Sequence, residues 1–236
     1  MKKIMLMVML SFAAIGFSQV ENALSFDGTD DYVNISSSII SATTTQPITV
    51  EAWIYPTTNS DTRLIASKYK GGTSSGCNFF LTRNSAQKIY ISANGSNVIT
   101  SNGIVPLNTW THIAVVYQSG TNNTKIYING SLDISGTLSY NTTNTTTEMQ
   151  IGQFTNISSY PVYQRWTGLI DEFRMWNTVR TVEQISGNRN YPLAGTETGL
   201  VSYYGFNQGT ANGSNTGITT LNDLTGHGWY GSLYNF

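Results

Sequence analysis

The chain has 236 residues, 39% hydrophobic and 12% aromatic, enough apolar side chain for one well-buried domain. Only 11% of residues are charged, and 12 basic against 13 acidic side chains leave a net charge of -1, which excludes the broad basic surface that backbone-driven nucleic-acid binding needs. Ser, Thr and Asn make up about a third of the chain, with 22 Gly and 5 Pro. That balance favours an all-β exported protein over long soluble helices, which draw on Ala, Glu and Lys.

Lys2 and Lys3 precede an apolar run from Ile4 to Phe17, with small residues around Gly16 and Ser18. Residues 1–19 therefore read as a signal peptide and 20–236 as a single mature domain. The run is shorter than the ~20 apolar residues that a membrane span prefers. The expected location is secreted, cell-surface or periplasmic, with no membrane insertion once the signal is removed. Cys77 is the one cysteine, so no internal disulfide is expected and stability must come from the core or from a bound metal.

From residue 23 onward, short apolar runs alternate with turn clusters, which is the spacing of a sandwich or barrel. Strands are predicted over 24–26, 32–35, 48–55, 63–68, 78–82, 88–92, 97–100, 111–117, 125–128, 131–134, 148–152, 169–176, 200–206 and 231–234. Asn94-Gly95 and Asn129-Gly130 each separate two apolar runs. Both dipeptides suit a type I′ hairpin because both residues tolerate positive φ. Thr181 followed three residues later by Gln184 has the spacing of a capping box, so a short helix begins there, and Gly187 can end it.

The order of motifs resembles the LamG-like, concanavalin A-like lectin/glucanase jelly-roll domains of secreted Bacteroidetes proteins. The pieces are ALSFDGTDDYVNI (23–35), ITVEAWIYP (48–56), LIASKY (64–69), NTWTHIAVVY (108–117), KIYING (125–130), TGLIDEFRMWNTVRTVEQI (167–185), LVSYYGFNQG (200–209) and DLTGHG (223–228). The resemblance implies two antiparallel sheets packed as a jelly-roll β-sandwich, with terminal strands that meet. Its members include glycan binders, protein binders and accessory modules, so the fold alone does not settle function.

Members of the family often hold a structural Ca²⁺ beside the equivalents of the FDG segment and of Asp171. Carried over by position, this nominates Asp27, the Gly28 carbonyl and the Asp171 carboxylate as metal ligands, with Asp30 and Asp31 able to contribute. Calcium takes six to eight oxygen ligands. Strand alternation puts Asp171 on one face with Leu169, Phe173 and Met175, where a carboxylate must be hydrogen-bonded, paired or metal-bound. The alternative to calcium is an Asp171 that accepts backbone N–H bonds and an Asp27 that organises its turn.

Catalysis is poorly supplied. A retaining glycosidase needs two carboxyl groups about 5 Å apart. No Glu-x-Asp-x-x-Glu strand is present, Glu51 has no acid two residues on, and Asp171 and Glu172 are adjacent and so point to opposite faces. His112 shares a strand side with Ala114 and Val116 and reads as structural. Binding is better provided for: the segment Phe154 to Trp166 interrupts the strand rhythm and carries Tyr160, Tyr163 and Arg165, residue types that stack on sugars and bond their hydroxyls. The sequence thus leads to a non-catalytic recognition or adhesion module whose partner is glycan or a surface protein. A structural domain without ligand is the alternative, and a glycan-cleaving hydrolase is the weaker one.

Overall fold

The computed structural model describes residues 22–39, 47–69, 77–93, 98–118, 123–138, 147–154, 164–211, 213, 215 and 217–236. The signal-peptide reading of residues 1–19 and the Asn94-Gly95 turn lie outside these residues. The strands are β1 (Leu24–Asp27), β2 (Tyr32–Ile35), β3 (Ile48–Pro56), β4 (Arg63–Tyr69), β5 (Cys77–Arg83), β6 (Ile89–Ser92), β7 (Val98–Thr100) and β8 (Thr111–Gln118). They continue with β9 (Asn123–Ile128), β10 (Ser131–Thr137), β11 (Met149–Ile151), β12 (Thr167–Trp176), β13 (Leu200–Tyr204), β14 (Thr220–Leu221) and β15 (Gly231–Tyr234). Among the described residues one α-helix, α1 (Val182–Asn188), lies between β12 and β13, and a short 3-10 helix spans Ser37–Ile39.

The strands form two sheets. One has the order β1-β12-β3-β8-β9-β10, with β13 also paired to β12, and the other β14-β15-β2-β11-β4-β5-β6-β7. All pairings between strands are antiparallel. This is the two-sheet sandwich that the sequence predicts. The terminal strands meet as expected: β15 pairs with β2, and Phe236 packs edge-on against Phe26 of β1 at 5.2 Å between ring centroids.

The core lies between the sheets, where alternate residues point inward. Val50, Ala52, Ile54, Ile113, Val115, Ile126, Ile170 and Phe173 come from one sheet, and Val33, Ile35, Phe79, Leu81, Ile89, Ile91, Met149 and Ile151 from the other. Local signals hold where they are strongest. Asn129 and Gly130 both take positive φ, 51° and 80°, and Ile128 pairs with Ser131 across them, giving the two-residue hairpin that this dipeptide favours. Thr181 caps α1 with the reciprocal Gln184 bonds of a capping box. Gly187 does not end the helix, which runs on to Asn188.

A β-bulge in β12 corrects one expectation. Asp171 pairs with Trp53 and Arg174 with Glu51, so β12 carries one more residue than β3 over this stretch. Glu172 absorbs the excess at φ 51°. The inward alternation Ile170, Phe173, Met175 therefore changes phase at Glu172. Asp171 falls on the outer face with Leu169, Arg174 and Trp176 rather than beside Phe173 and Met175.

That outer face is not open to solvent. The segment 177–199, with α1, crosses it and forms a second buried layer. Ile185 packs on Ala114, Val116 and Tyr127, and Leu193 on Trp176, Leu200 and Tyr203.

Candidate functional site

At one end of the sandwich β1 turns into β2 through Asp27–Asp31. Asp27 Oδ1 accepts the Thr29 N–H at 2.6 Å, and Asp31 Oδ2 accepts the Asp27 N–H at 2.8 Å. These bonds close a short acidic turn. Gly28 sits at φ 79°, and a Cβ there would stand 2.1 Å from Thr167 Oγ1, so both conformation and space require glycine. Carboxylate oxygens of Asp27, Asp30 and Asp31 all lie within 4.8 Å of one another. Burial, together with the charges of Asp27 and Asp30, pushes the Asp31 carboxyl up to about 6 against the pull of the Asp27 N–H.

Arg165 is brought to this turn. Its guanidinium donates through Nη1 to the Thr29 carbonyl and through Nε to Gln153 Oε1 at 3.0 Å. The side chain is buried, and Arg63 Nη1 donates to its carbonyl at 3.1 Å. Arg165 therefore braces the acidic turn against the β11 end of the second sheet. Asn235 Nδ2 donates to the Asp30 carbonyl at 3.0 Å, bringing the chain end to the same place. Beside the turn, the rings of Tyr32 and Tyr234 stack at 4.5 Å between centroids and 2° between planes.

Of the residues nominated from sequence, Asp27, Gly28 and Arg165 thus gather at one end. Tyr160 and Tyr163 lie outside the described residues. Asp171 is elsewhere. β1 pairs Asp27 with Thr167, and Asp171 follows four residues further along β12, about 13 Å away at the rise of a strand. Its Oδ1 accepts the Glu172 N–H at 2.8 Å. Burial, added to the neighbouring Glu172 charge, raises its carboxyl well above the ordinary range. Tyr32, Tyr234 and Gln153 were missed by sequence reasoning, because only strand register shows that they stand beside the turn.

Asp171 borders a buried polar layer beneath segment 177–199. Trp176 Nε1 donates to Glu51 Oε1 at 2.7 Å, and His112 Nε2 lies 3.5 Å from Glu51 Oε2. Arg174 donates to the Asn188 carbonyl at 3.0 Å, to the Tyr191 carbonyl at 2.6 Å and to Glu172 Oε2 at 2.5 Å. Burial pushes the Glu51 carboxyl up, but His112, Arg174 and the Trp176 N–H outweigh it, so Glu51 is ionised. Burial also holds His112 below its usual range and therefore neutral. The Arg180 guanidinium stacks 3.8 Å above the Trp176 ring. These groups fasten the segment to the sheet, and His112 is the structural histidine expected.

No helix among the described residues is long and apolar enough to cross a membrane. A family model described as the concanavalin A-like lectin/glucanases superfamily matches residues 27–186. No curated protein matches the sequence. Among solved structures, the fold is similar to a candidate carbohydrate-binding protein from Bacteroides ovatus, at 19% identity and a TM-score of 0.64, over 89% of this chain. The match covers 57% of that protein's length. It is also similar to the CBM40 of a Ruminococcus gnavus IT-sialidase bound to α2,3 sialyllactose, at 11% identity and TM-score 0.55, covering 70% of this chain and 94% of that one. A third is domain 4 of the Geobacillus stearothermophilus GH43 arabinanase AbnA, in complex with arabinotriose, at 17% identity and TM-score 0.54, covering 73% and 78%.

Proposed function

Because the chain belongs to the concanavalin A-like lectin/glucanase superfamily, we propose that it is an exported, non-catalytic module that recognises glycan, with a structural calcium at the Asp27–Asp31 turn. The observation that carries the reading is the convergence at one end of the sandwich of the acidic turn, the Arg165 brace and the stacked tyrosines. Recognition sites on rigid β scaffolds are commonly built from such loop clusters. The structural neighbours described as carbohydrate-binding or solved with an oligosaccharide support the same class of ligand.

The turn fits a hard cation. Its donors are carboxylates and backbone carbonyls, and three mutually close acids, one of them partly desolvated, repel one another until a cation sits between them. Asp27, Asp30 and Asp31 would hold the ion, with the Gly28 carbonyl beside them, and calcium would supply stability and a ligand point for sugar hydroxyls. Asp171 is too distant to join them.

The reading without catalysis is supported by where the acids lie. Glu51 and Asp171 are buried beneath segment 177–199, at 1% and 2% exposure, out of reach of a polysaccharide. Asp27 and Asp31 each spend an oxygen on a backbone N–H of their own turn. A surface protein is the other partner consistent with an exported module. A glycan array probed with the purified protein, in calcium and in chelator, tests the proposal. Saturable binding to a defined glycan class is expected, weakened by Tyr160→Ala or Tyr163→Ala, while silence on every glycan would refute it.

A further inference from the structure

We infer that the glycan is seated on the stacked pair Tyr32–Tyr234, on the outer face of the eight-stranded sheet, and that this seat takes a neutral sugar in preference to an acidic one. The inference rests on the glycan reading above and adds to it a site and a substrate class.

Tyr32 and Tyr234 are cross-strand partners on β2 and β15. Val33 and Ile35 fill the core, so Tyr32 and Asn34 face outward. One face of the Tyr234 ring lies on Tyr32, and 42% of the residue remains exposed, which leaves the other side of the pair open to a ligand. The next rung of the same face runs Ser232, Asn34, Gln150. Asn34 Oδ1 accepts from Gln150 Nε2 at 2.9 Å. Gln150 is 5% exposed, and its Oε1 is buried with no hydrogen-bond partner among the described residues. Beyond this rung the face is closed by the chain at Gln153, whose carbonyl accepts from Ser67 Oγ at 2.9 Å.

The strip therefore offers a flat aromatic surface, a row of hydroxyl and amide groups and one buried acceptor in want of a donor. A pyranose or furanose presents the complement: a C–H face that packs on an aromatic ring, and hydroxyl edges that both donate and accept. A peptide would leave a strip this short and polar without an apolar anchor to bury.

Charge decides between neutral and acidic sugars. Asn235, next to Tyr234, is bound to the Asp30 carbonyl, so the strip ends on three carboxylates that remain a net negative charge even with one divalent cation bound. Glu148 raises the Tyr32 hydroxyl electrostatically and adds a fourth acid. The cation facing Tyr32 is Arg165, already committed to Thr29 and Gln153. A sialylated or uronic sugar would meet repulsion here that a neutral one would not.

Isothermal titration of the purified protein with laminarihexaose, cellohexaose, mannohexaose, xylohexaose, arabinotriose and 3′-sialyllactose tests this directly. A neutral oligosaccharide is expected to bind best. Tyr234→Ala should weaken it about tenfold, the scale of one lost aromatic contact. Tyr234→Leu, which keeps apolar volume without a flat ring, should do the same and guards against a misfolded alanine variant. Tyr234→Phe should bind within about threefold of the parent, and Tyr191→Ala, 53% exposed on the segment that covers the other sheet, should bind as the parent does. Undiminished binding by both Tyr234→Ala and Tyr234→Leu would overturn the seat while leaving glycan recognition standing. Preference for 3′-sialyllactose would overturn the neutral-sugar assignment. Binding of no oligosaccharide by the parent protein would remove the glycan reading and this inference together.

Discussion

Asp27 and Asp171, the two carboxylates that the family resemblance nominates for one metal, stand at opposite ends of the β1–β12 ladder. Asp27 faces Thr167, while β1 reaches only as far as Leu24 opposite Ile170. The acidic partners of Asp27 are instead its near neighbours Asp30 and Asp31. Calcium dependence should therefore follow the turn alone. With Ca²⁺ at about a hundredfold over its dissociation constant, mass action adds ~2.7 kcal/mol, which raises the melting temperature by about 5 to 10 °C for a chain of this length. Thermal melts should show this shift in the parent and in Asp171→Asn, and lose it in Asp30→Asn and Asp31→Asn. A shift abolished by Asp171→Asn would contradict the geometry.

Asp171→Asn carries its own pH signature. The folded-state carboxyl titrates above its unfolded value because it is buried beside Glu172. As pH rises from about 4, the unfolded chain ionises first, so the native state loses stability until the folded group titrates, and the loss persists above that point. Asn accepts the same Glu172 N–H without ionising. The variant should match the parent near pH 4 and melt above it at pH 7. A variant that is equally stable at pH 4 but less stable at pH 7 would reverse the sign and contradict a raised Asp171 carboxyl.

Glu51 anchors the layer beneath segment 177–199. Replacing it by Ala strands the Trp176 N–H and removes the buried anion that balances Arg174. Breaking such a pair costs about 3 to 5 kcal/mol. Denaturant unfolding of Glu51→Ala should show a loss of that size, and Trp176→Phe a smaller one. Stability within about 0.5 kcal/mol of the parent would mean that the segment is held by apolar packing alone.

Gly28→Ala tests the acidic turn from its backbone. The position combines φ 79° with a close approach to Thr167 Oγ1, and a non-glycine residue in that region costs about 1 kcal/mol or more before any clash. The variant should melt lower and respond less to calcium, because the turn that gathers the three carboxylates is distorted. An unchanged melting curve with full calcium response would show that the turn tolerates a side chain.

These residues also mark how far the sequence could be read. Asn129-Gly130 and the Thr181–Gln184 pair were legible because the physics is local: positive φ and a capping bond involve neighbours in the chain. The inward faces of most strands followed from period-two alternation, and fourteen of the strands were placed within a few residues; Thr220–Leu221 was too short to leave a pattern. What escaped notice depends on register. The bulge at Glu172 moves Asp171 to the other face, and no composition signal announces it. Arg165 looked like a ligand contact because Arg and aromatics cluster in 154–166; its use as a brace depends on Thr29, 136 residues away. Tyr32 and Tyr234 become a pair only when the last strand docks on the second.

Recognition of glycan without chemistry on it is read out by titrating the purified protein with its best array ligand in calcium, then recovering that ligand and counting reducing ends. Saturable binding is expected, with the glycan recovered intact and no new reducing ends after prolonged incubation. Release of reducing sugar, or heat of binding no greater than that of buffer, would contradict it.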